Sequence, residues 1–202
     1  MKKITKTIIL FCILTLTSTI SFGQNIENEI MEFAKKEYPN DYSMQKYVYN
    51  KQISAYKYMR KVTDIEVRQF AEKEYPEDYS MQKYVYDKQV SAKMNIETKQ
   101  DNEVLEFAKK EYPDDYSMQK YVYEKQLSAK NYMKAVEDFE VLQIAKREYP
   151  DDYSMQKYTY DKQLSAKKYM KSASNYSAKK QAEEEYPDDY SMQKYTYDKL
   201  AY

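Results

Sequence analysis

The 202-residue chain carries 33 basic and 33 acidic side chains, 26 tyrosines, no His, one Gly and one Cys. The absence of His excludes an imidazole base, a Ser-His-Asp triad and a His-ligated zinc site. One Gly excludes the glycine-rich phosphate loops, and the charge balance argues against nucleic acid as a partner, because such binding needs basic surface to displace counterions.

Residues 1–23 have the three parts of a secretory signal peptide. Lys2, Lys3 and Lys6 form the basic start, Ile8 to Leu16 a short apolar run, and Ser21-Phe22-Gly23 places small residues ahead of a cleavage site before Gln24. The run is shorter than the ~20 residues that span a bilayer. Cys12 follows Phe11 inside the run, which is not the place of a lipoprotein cysteine. Cleavage leaves 30 basic and 33 acidic residues and neither Cys nor Gly. The expected product is secreted (periplasm, cell surface or extracellular), has no transmembrane segment and is held together by packing alone.

Residues 24–202 read as one repeat domain. Glu-Tyr-Pro recurs at 37–39, 74–76, 111–113, 148–150 and 185–187, always 37 residues apart. Around it the string Tyr-Pro-x-Asp-Tyr-Ser-Met-Gln-Lys-Tyr-x-Tyr-x-Lys returns five times without an insertion or deletion, as at Tyr112 to Lys125. A fixed period of this size marks an array of stacked units. The repeats fall at about 27–63, 64–100, 101–137, 138–174 and 175–202, the last truncated.

Within the first repeat, a short helix is predicted from about Asn28 to Tyr38. Pro39 stops it, and Asp41 is placed to cap the next, as are Asp78, Asp115, Asp152 and Asp189. The second helix is predicted from about Tyr42 to Met59, in a stretch free of Gly and rich in Lys, Gln, Ala and Met. Asp64, Asp101, Asp138 and Asn175 are good caps for a further break, so two helices per repeat are expected, giving an all-α, α-solenoid-like array. The alternative is one long helix per repeat, folding back at each Tyr-Pro turn.

Successive residues 100° apart place Met44, Tyr47, Val48, Ala55, Tyr58 and Met59 on one arc, and Tyr42, Tyr49 and Ile53 on a second, roughly opposite. Gln45 and Gln52 lie between the arcs and are expected to bond the tyrosine hydroxyls of a tyrosine-dominated core. The short helix buries Ile30, Phe33 and Ala34. Two charges fall on these apolar faces in every copy, which leads us to expect five ion pairs: Glu37 with Lys51, Glu74 with Lys88, Glu111 with Lys125, Glu148 with Lys162 and Glu185 with Lys199. The alternative is that the stems lie flat with their heads in water.

Candidate sites are few. The acidic turns could attract calcium, but two carboxylates supply few of the six to eight oxygens it takes, and capping explains them. No metal or cofactor is expected. Every repeat offers the same carboxylates, whereas an enzyme needs one unique constellation in a cleft. The chain is therefore read as non-enzymatic, an envelope hydrolase being the least favoured reading. Tyrosine and lysine together could hold a glycan, with Tyr56, Tyr176 and Tyr202 the candidates outside the repeat pattern.

The segment Glu111-Tyr-Pro-Asp-Asp-Tyr-Ser-Met-Gln-Lys-Tyr121 resembles a short motif of uncharacterised bacterial and phage proteins, an aromatic-Pro-x-Asp-Tyr-x-Met-Gln-x-Tyr string ahead of a helix. The resemblance covers all five repeats and implies no activity, ligand or site. The period is also similar to that of tetratricopeptide and Sel1-like repeats, whose signature glycines are missing here, so the architecture alone is implied.

The expected role is binding of a protein or cell-envelope component through a repeated helical surface. The strip Lys46, Asn50, Ser54 and Lys57, with the copies Lys83, Lys120, Lys157 and Lys194, is the expected contact. The alternative is a homo-oligomer, self-associating as a structural or adhesive protein.

Overall fold

The structure is a computed structural model that describes residues 25–201; the leader read at 1–23, and Tyr202, lie outside the described residues. Among the described residues there are ten helices and no strand. Helix α1 spans 25–37. It is followed by α2 (Tyr42–Met59), α3 (Ile65–Glu74), α4 (Tyr79–Glu97), α5 (Asn102–Glu111), α6 (Tyr116–Lys134), α7 (Phe139–Glu148), α8 (Tyr153–Ser172), α9 (Tyr176–Glu185) and α10 (Tyr190–Ala201). The chain is an all-α helical repeat array of short and long helices in alternation, two to a repeat. The single long helix per repeat does not form.

Two kinds of cap set these boundaries. Asp41, Asp78, Asp115, Asp152 and Asp189 each accept the N–H of the residue three positions on, at 2.9–3.0 Å, at the start of a long helix. Asp64, Asp101, Asp138 and Asn175 do the same for the short helices, at 3.2–3.3 Å. Each satisfies an N–H that the helix itself cannot. The second break therefore depends on a carboxylate or amide rather than on Gly or Pro.

The described chain divides into two units, one ending at Ser91 and the other beginning at Ala92. In the second, α5 packs on α6, α7 on α8 and α9 on α10, while the long helices α6, α8 and α10 pack successively on one another. One small cluster forms per repeat: Ile96, Val104, Ala108 and Tyr123, then Met133, Val141, Ala145 and Tyr160, then Met170, Ala178, Ala182 and Tyr197. In the first unit the buried apolar residues are Ile30, Ala34, Ala55, Met59, Val67, Ala71 and Tyr86.

The long helix does not have two opposed apolar arcs. It has one buried face, and the glutamines sit at its centre. Gln45, Gln52, Gln82, Gln119, Gln126, Gln156, Gln163 and Gln193 are all buried beside Ala55, Met59 and their copies. Tyr47 and Tyr58 fall at the edge of this face and are exposed, and Tyr42 is 84% exposed. The second tyrosine of the Tyr-x-Tyr enters the core at Tyr86, Tyr123, Tyr160 and Tyr197, while Tyr49 in the first copy is half-buried.

The glutamines bond backbone and carboxylate, not tyrosine hydroxyls. Gln45 Nε2 donates to the Tyr38 carbonyl at 2.7 Å, and Gln82, Gln119, Gln156 and Gln193 repeat this on Tyr75, Tyr112, Tyr149 and Tyr186. Each thereby ties the Tyr-Pro turn to the helix that follows. Gln52 reaches into the next repeat: its Nε2 donates to Asp78 Oδ1 at 2.8 Å and its Oε1 accepts the Ser80 N–H at 3.0 Å. Gln126 holds Asp152 and Ser154 in the same way, and Gln163 holds Asp189 and Ser191. The core tyrosines turn instead to backbone. The hydroxyls of Tyr123, Tyr160 and Tyr197 accept the N–H of the cap residues Asp101, Asp138 and Asn175.

Replacing Gln126 with Leu leaves the Ser154 N–H without its acceptor and Asp152 without one of its donors. The expected loss of stability is about 1–3 kcal/mol in urea unfolding. Ser128→Ala, at an exposed position of the same helix, should change it by no more than about 0.5 kcal/mol. Equal effects of the two substitutions would show that the amide bridge contributes nothing.

Candidate functional site

Residues identical in all five copies sort into those the architecture uses and those it does not. The lysines of the expected binding strip belong largely to the first group. Lys83 Nζ lies 4.5 Å from the centre of the Tyr58 ring and 2.5 Å from Asp87 Oδ2, while the Tyr58 hydroxyl donates to Asp87 Oδ1 at 2.7 Å. Lys157, Asp161 and Tyr132 repeat the triad, as do Lys194, Asp198 and Tyr169. These lysines join one repeat to the one before it. Lys120 is half-buried, and the places of tyrosine and aspartate beside it are taken by Asn95 and Glu124. In the first repeat Lys46, Asn50, Ser54 and Lys57 are exposed.

A second junction uses the lysine ten residues beyond. Lys130 Nζ bonds Asp101 Oδ1 at 2.9 Å and Glu103 Oε2 at 2.7 Å, and sits 5.1 Å over the Tyr153 ring, whose hydroxyl donates to Glu103 Oε1. Lys167, Asp138, Glu140 and Tyr190 form the same group one repeat later. Tyr56 stands where these lysines stand. It is half-buried with its ring edge-on to Tyr79 at 5.1 Å, so it is not the free aromatic expected, whereas Tyr176 is exposed.

Titration follows from these bonds. The hydrogen bond from Lys130 holds Asp101 and Glu103 below their ordinary values, burial opposing, and Tyr153 adds a second bond to Glu103. The bonds to Glu103 and Asp101 push Lys130 up. The bond to Asp161, with burial, pushes the Tyr132 phenol up to about 12, and burial with the bond to Glu140 takes Tyr190 to about 12.

The five expected Glu–Lys pairs do not form. Glu37, Glu74, Glu111, Glu148 and Glu185, and Lys51, Lys88, Lys125, Lys162 and Lys199, are all exposed, and no ion pair joins any two of them among the described residues. Water around these charged heads removes the desolvation that would have made pairing necessary. The lysine instead leans on the tyrosine one turn back. Lys88 Nζ is 5.4 Å from the Tyr84 ring centre and Lys199 Nζ is 4.3 Å from that of Tyr195.

What remains is a patch the sequence reading missed: Glu37, Tyr38, Tyr47 and Lys51, with their copies. Tyr47, Tyr84, Tyr121, Tyr158 and Tyr195 are 52–63% exposed. Tyr38, Tyr75 and Tyr112 lie at the surface beside them in the chain's turns. In the last copy the Glu185 carboxylate at its hydroxyl pushes the Tyr186 phenol up, and Lys199 and Tyr195 are near enough to act on the same group. Glutamate, two phenols and lysine thus share one surface. The signal for it was present in the sequence, in a Tyr and a Lys four apart that never vary, but counting tyrosine as apolar assigned it to the core.

Other concave features are shallow. A groove of about 570 Å3 is lined by Lys134, Val136, Leu142, Lys146 and Tyr153, among others, and one of about 560 Å3 by Glu29, Phe33, Lys36, Glu77 and Tyr79. Among the described residues no cluster of acidic, His or Cys side chains could hold a metal ion, and no helix is long and apolar enough to cross a membrane. No family model, curated protein or solved structure matches the chain.

The carboxylates lowered in the fold contribute stability that is complete above their unfolded values and is lost as pH falls through the folded ones. The raised phenols contribute stability that is complete below their unfolded value and is lost as pH rises through about 12. Urea unfolding should therefore show a plateau between roughly pH 5 and pH 9, falling on both sides. Lys130→Met with Lys167→Met should flatten the acid limb. An unchanged acid limb would show that these bonds do not survive in solution.

Proposed function

We propose that the chain is a secreted, non-enzymatic binding protein that engages a protein or cell-envelope partner through the repeated surface of Glu37, Tyr38, Tyr47, Lys51 and their copies. One observation carries this reading. Several exposed positions elsewhere in the repeat vary from copy to copy, although the serine at Ser54, Ser91, Ser128 and Ser165 and the proline of the turn do not. The position of Lys57 holds Met94, Asn131 and Lys168, that of Arg60 holds Glu97, Lys134 and Lys171, and that of Asn40 holds Glu77, Asp114, Asp151 and Asp188. The glutamate, the Tyr47-type tyrosine and the lysine of the patch are exposed in every copy, form no ion pair or helix cap with a neighbouring repeat among the described residues, and with the turn tyrosine are the same five times. The secreted location rests on the leader-like residues 1–23.

The surface favours binding over chemistry. It offers open rings and single charges rather than an enclosed cleft with convergent acids and bases. Self-association through stacked ends is the second reading, and Leu200 counts against its head-to-tail form. Leu200 occupies the position of Gln52, Gln89, Gln126 and Gln163 and is exposed. It cannot supply the amide that holds the following cap.

The test is retention of the purified chain on the producing cell's envelope fraction, compared with a Tyr121→Ser, Tyr158→Ser, Tyr195→Ser variant. The variant should keep its helicity and lose retention by about tenfold or more. Equal retention of the two chains would overturn the proposal. Sedimentation that shows mass rising with concentration in the intact chain, and not in the variant, would transfer the surface to self-association.

A further inference from the structure

We propose that the partner of this surface is a neutral, linear polysaccharide, bound by one tyrosine-lysine-glutamate patch per repeat. The inference rests on the binding role proposed above and specifies its ligand.

The first argument is periodicity. Tyr121, Tyr158 and Tyr195 project from α6, α8 and α10, long helices that pack successively side by side. Each carries the same lysine four residues on and the same Glu-Tyr pair at the preceding turn. Identical sites at a fixed step suit a ligand that is itself periodic. A sugar polymer presents one chemical group at a constant step along its length, as most folded protein surfaces do not. Packed helices lie about 8–10 Å apart, a distance that matches the advance of a disaccharide along an extended β-linked chain.

The second argument is charge. Each patch contains one carboxylate and one ammonium, and the chain without its leader carries 30 basic and 33 acidic side chains. A polyanion gains nothing from a lysine whose neighbour is a glutamate. A neutral chain of hydroxyls uses both, the ammonium as donor and the carboxylate as acceptor.

The third argument is the ring. An exposed phenol presents a flat face with negative quadrupole charge to the C–H face of a pyranose, and its hydroxyl remains free for the sugar's own. Lys199 lies 4.3 Å and Lys88 5.4 Å from their ring centres, and the tyrosines beneath them remain 52–55% exposed. Each contact is weak, and three or more on one chain add through effective concentration.

The experiment uses the full chain without its leader and three probes: amorphous cellulose, chitin and immobilised mannan. Retention on at least one is expected, and it should survive molar salt. Tyr121→Ala with Tyr158→Ala and Tyr195→Ala should weaken it on the order of a hundredfold, a single substitution only a few-fold. The corresponding Phe variants keep the ring and should recover most of the binding. Retention that vanishes in salt is ionic adsorption and overturns the proposal, as does retention unaffected by the Ala variants. Failure on all three probes also overturns it. If envelope retention still depends on the same tyrosines in that case, the surface binds a protein and the broader reading stands. If that dependence is lost too, both fall.

Discussion

Within each unit, the amide of one buried glutamine links a repeat to the next. Gln126 donates to the same Asp152 oxygen that caps α8 and accepts the N–H of Ser154. Two needs of a helix N-terminus are met from the previous repeat: an acceptor is held in place for one orphan N–H and supplied outright to another. The bridge also fixes register. Sliding one long helix by a turn against the next would leave the amide, the carboxylate and the N–H buried without partners, at a cost larger than the bond itself contributes. The second glutamine of the repeat, Gln119, seven residues earlier, closes the Tyr-Pro turn through the Tyr112 carbonyl. Together the two explain how an array whose turns contain no Gly can reverse direction sharply at each repeat.

Around this bridge the tyrosines divide into three uses. Tyr123, Tyr160 and Tyr197 are buried and offer their hydroxyls to the cap N–H of their own short helices. Others lie under a lysine of an adjacent repeat and give their hydroxyl to a carboxylate that the lysine also holds, as Tyr132 does with Lys157 and Asp161. A phenol suits both because it buries a ring without stranding its polar end. These junctions are partly exposed, so each adds modestly, and they take the place of crosslinks in a chain whose one cysteine is Cys12. The remaining tyrosines make neither contact.

The sequence made the local features legible. The 37-residue period is plain by inspection, while the Pro stop at Pro39 and the caps Asp41 and Asp64 depend on neighbours within four residues, and the helices begin and end there. The face of the long helix was harder to read, because a hydropathy pattern discounts Gln. Gln45 and Gln52 divided what is one buried face into two apparent arcs, and the centre of the face was taken for a seam. Long-range partners were not legible at all. Nothing in spacing says that Gln52 chooses Asp78, 26 residues on, over a nearby hydroxyl. Glu37 and Lys51 were placed on apolar faces by their helical angle, yet both lie at the margin where a long side chain reaches water.

That margin is also what makes the free tyrosines tolerable. A row of open phenols on adjoining helices approaches the kind of apolar patch that drives association. Each ring here has a lysine one turn on and a glutamate at the preceding turn, so charge of both signs accompanies every ring. The arrangement keeps hydrophobic area in water while interrupting it with charge of both signs. A purely structural surface gains nothing from such a compromise, because exposed positions such as 57, 94, 131 and 168 show that other side chains serve there. A repeated surface for weak binding, as proposed above, would gain from it: each site is too small to drive association alone, and several together would add through effective concentration.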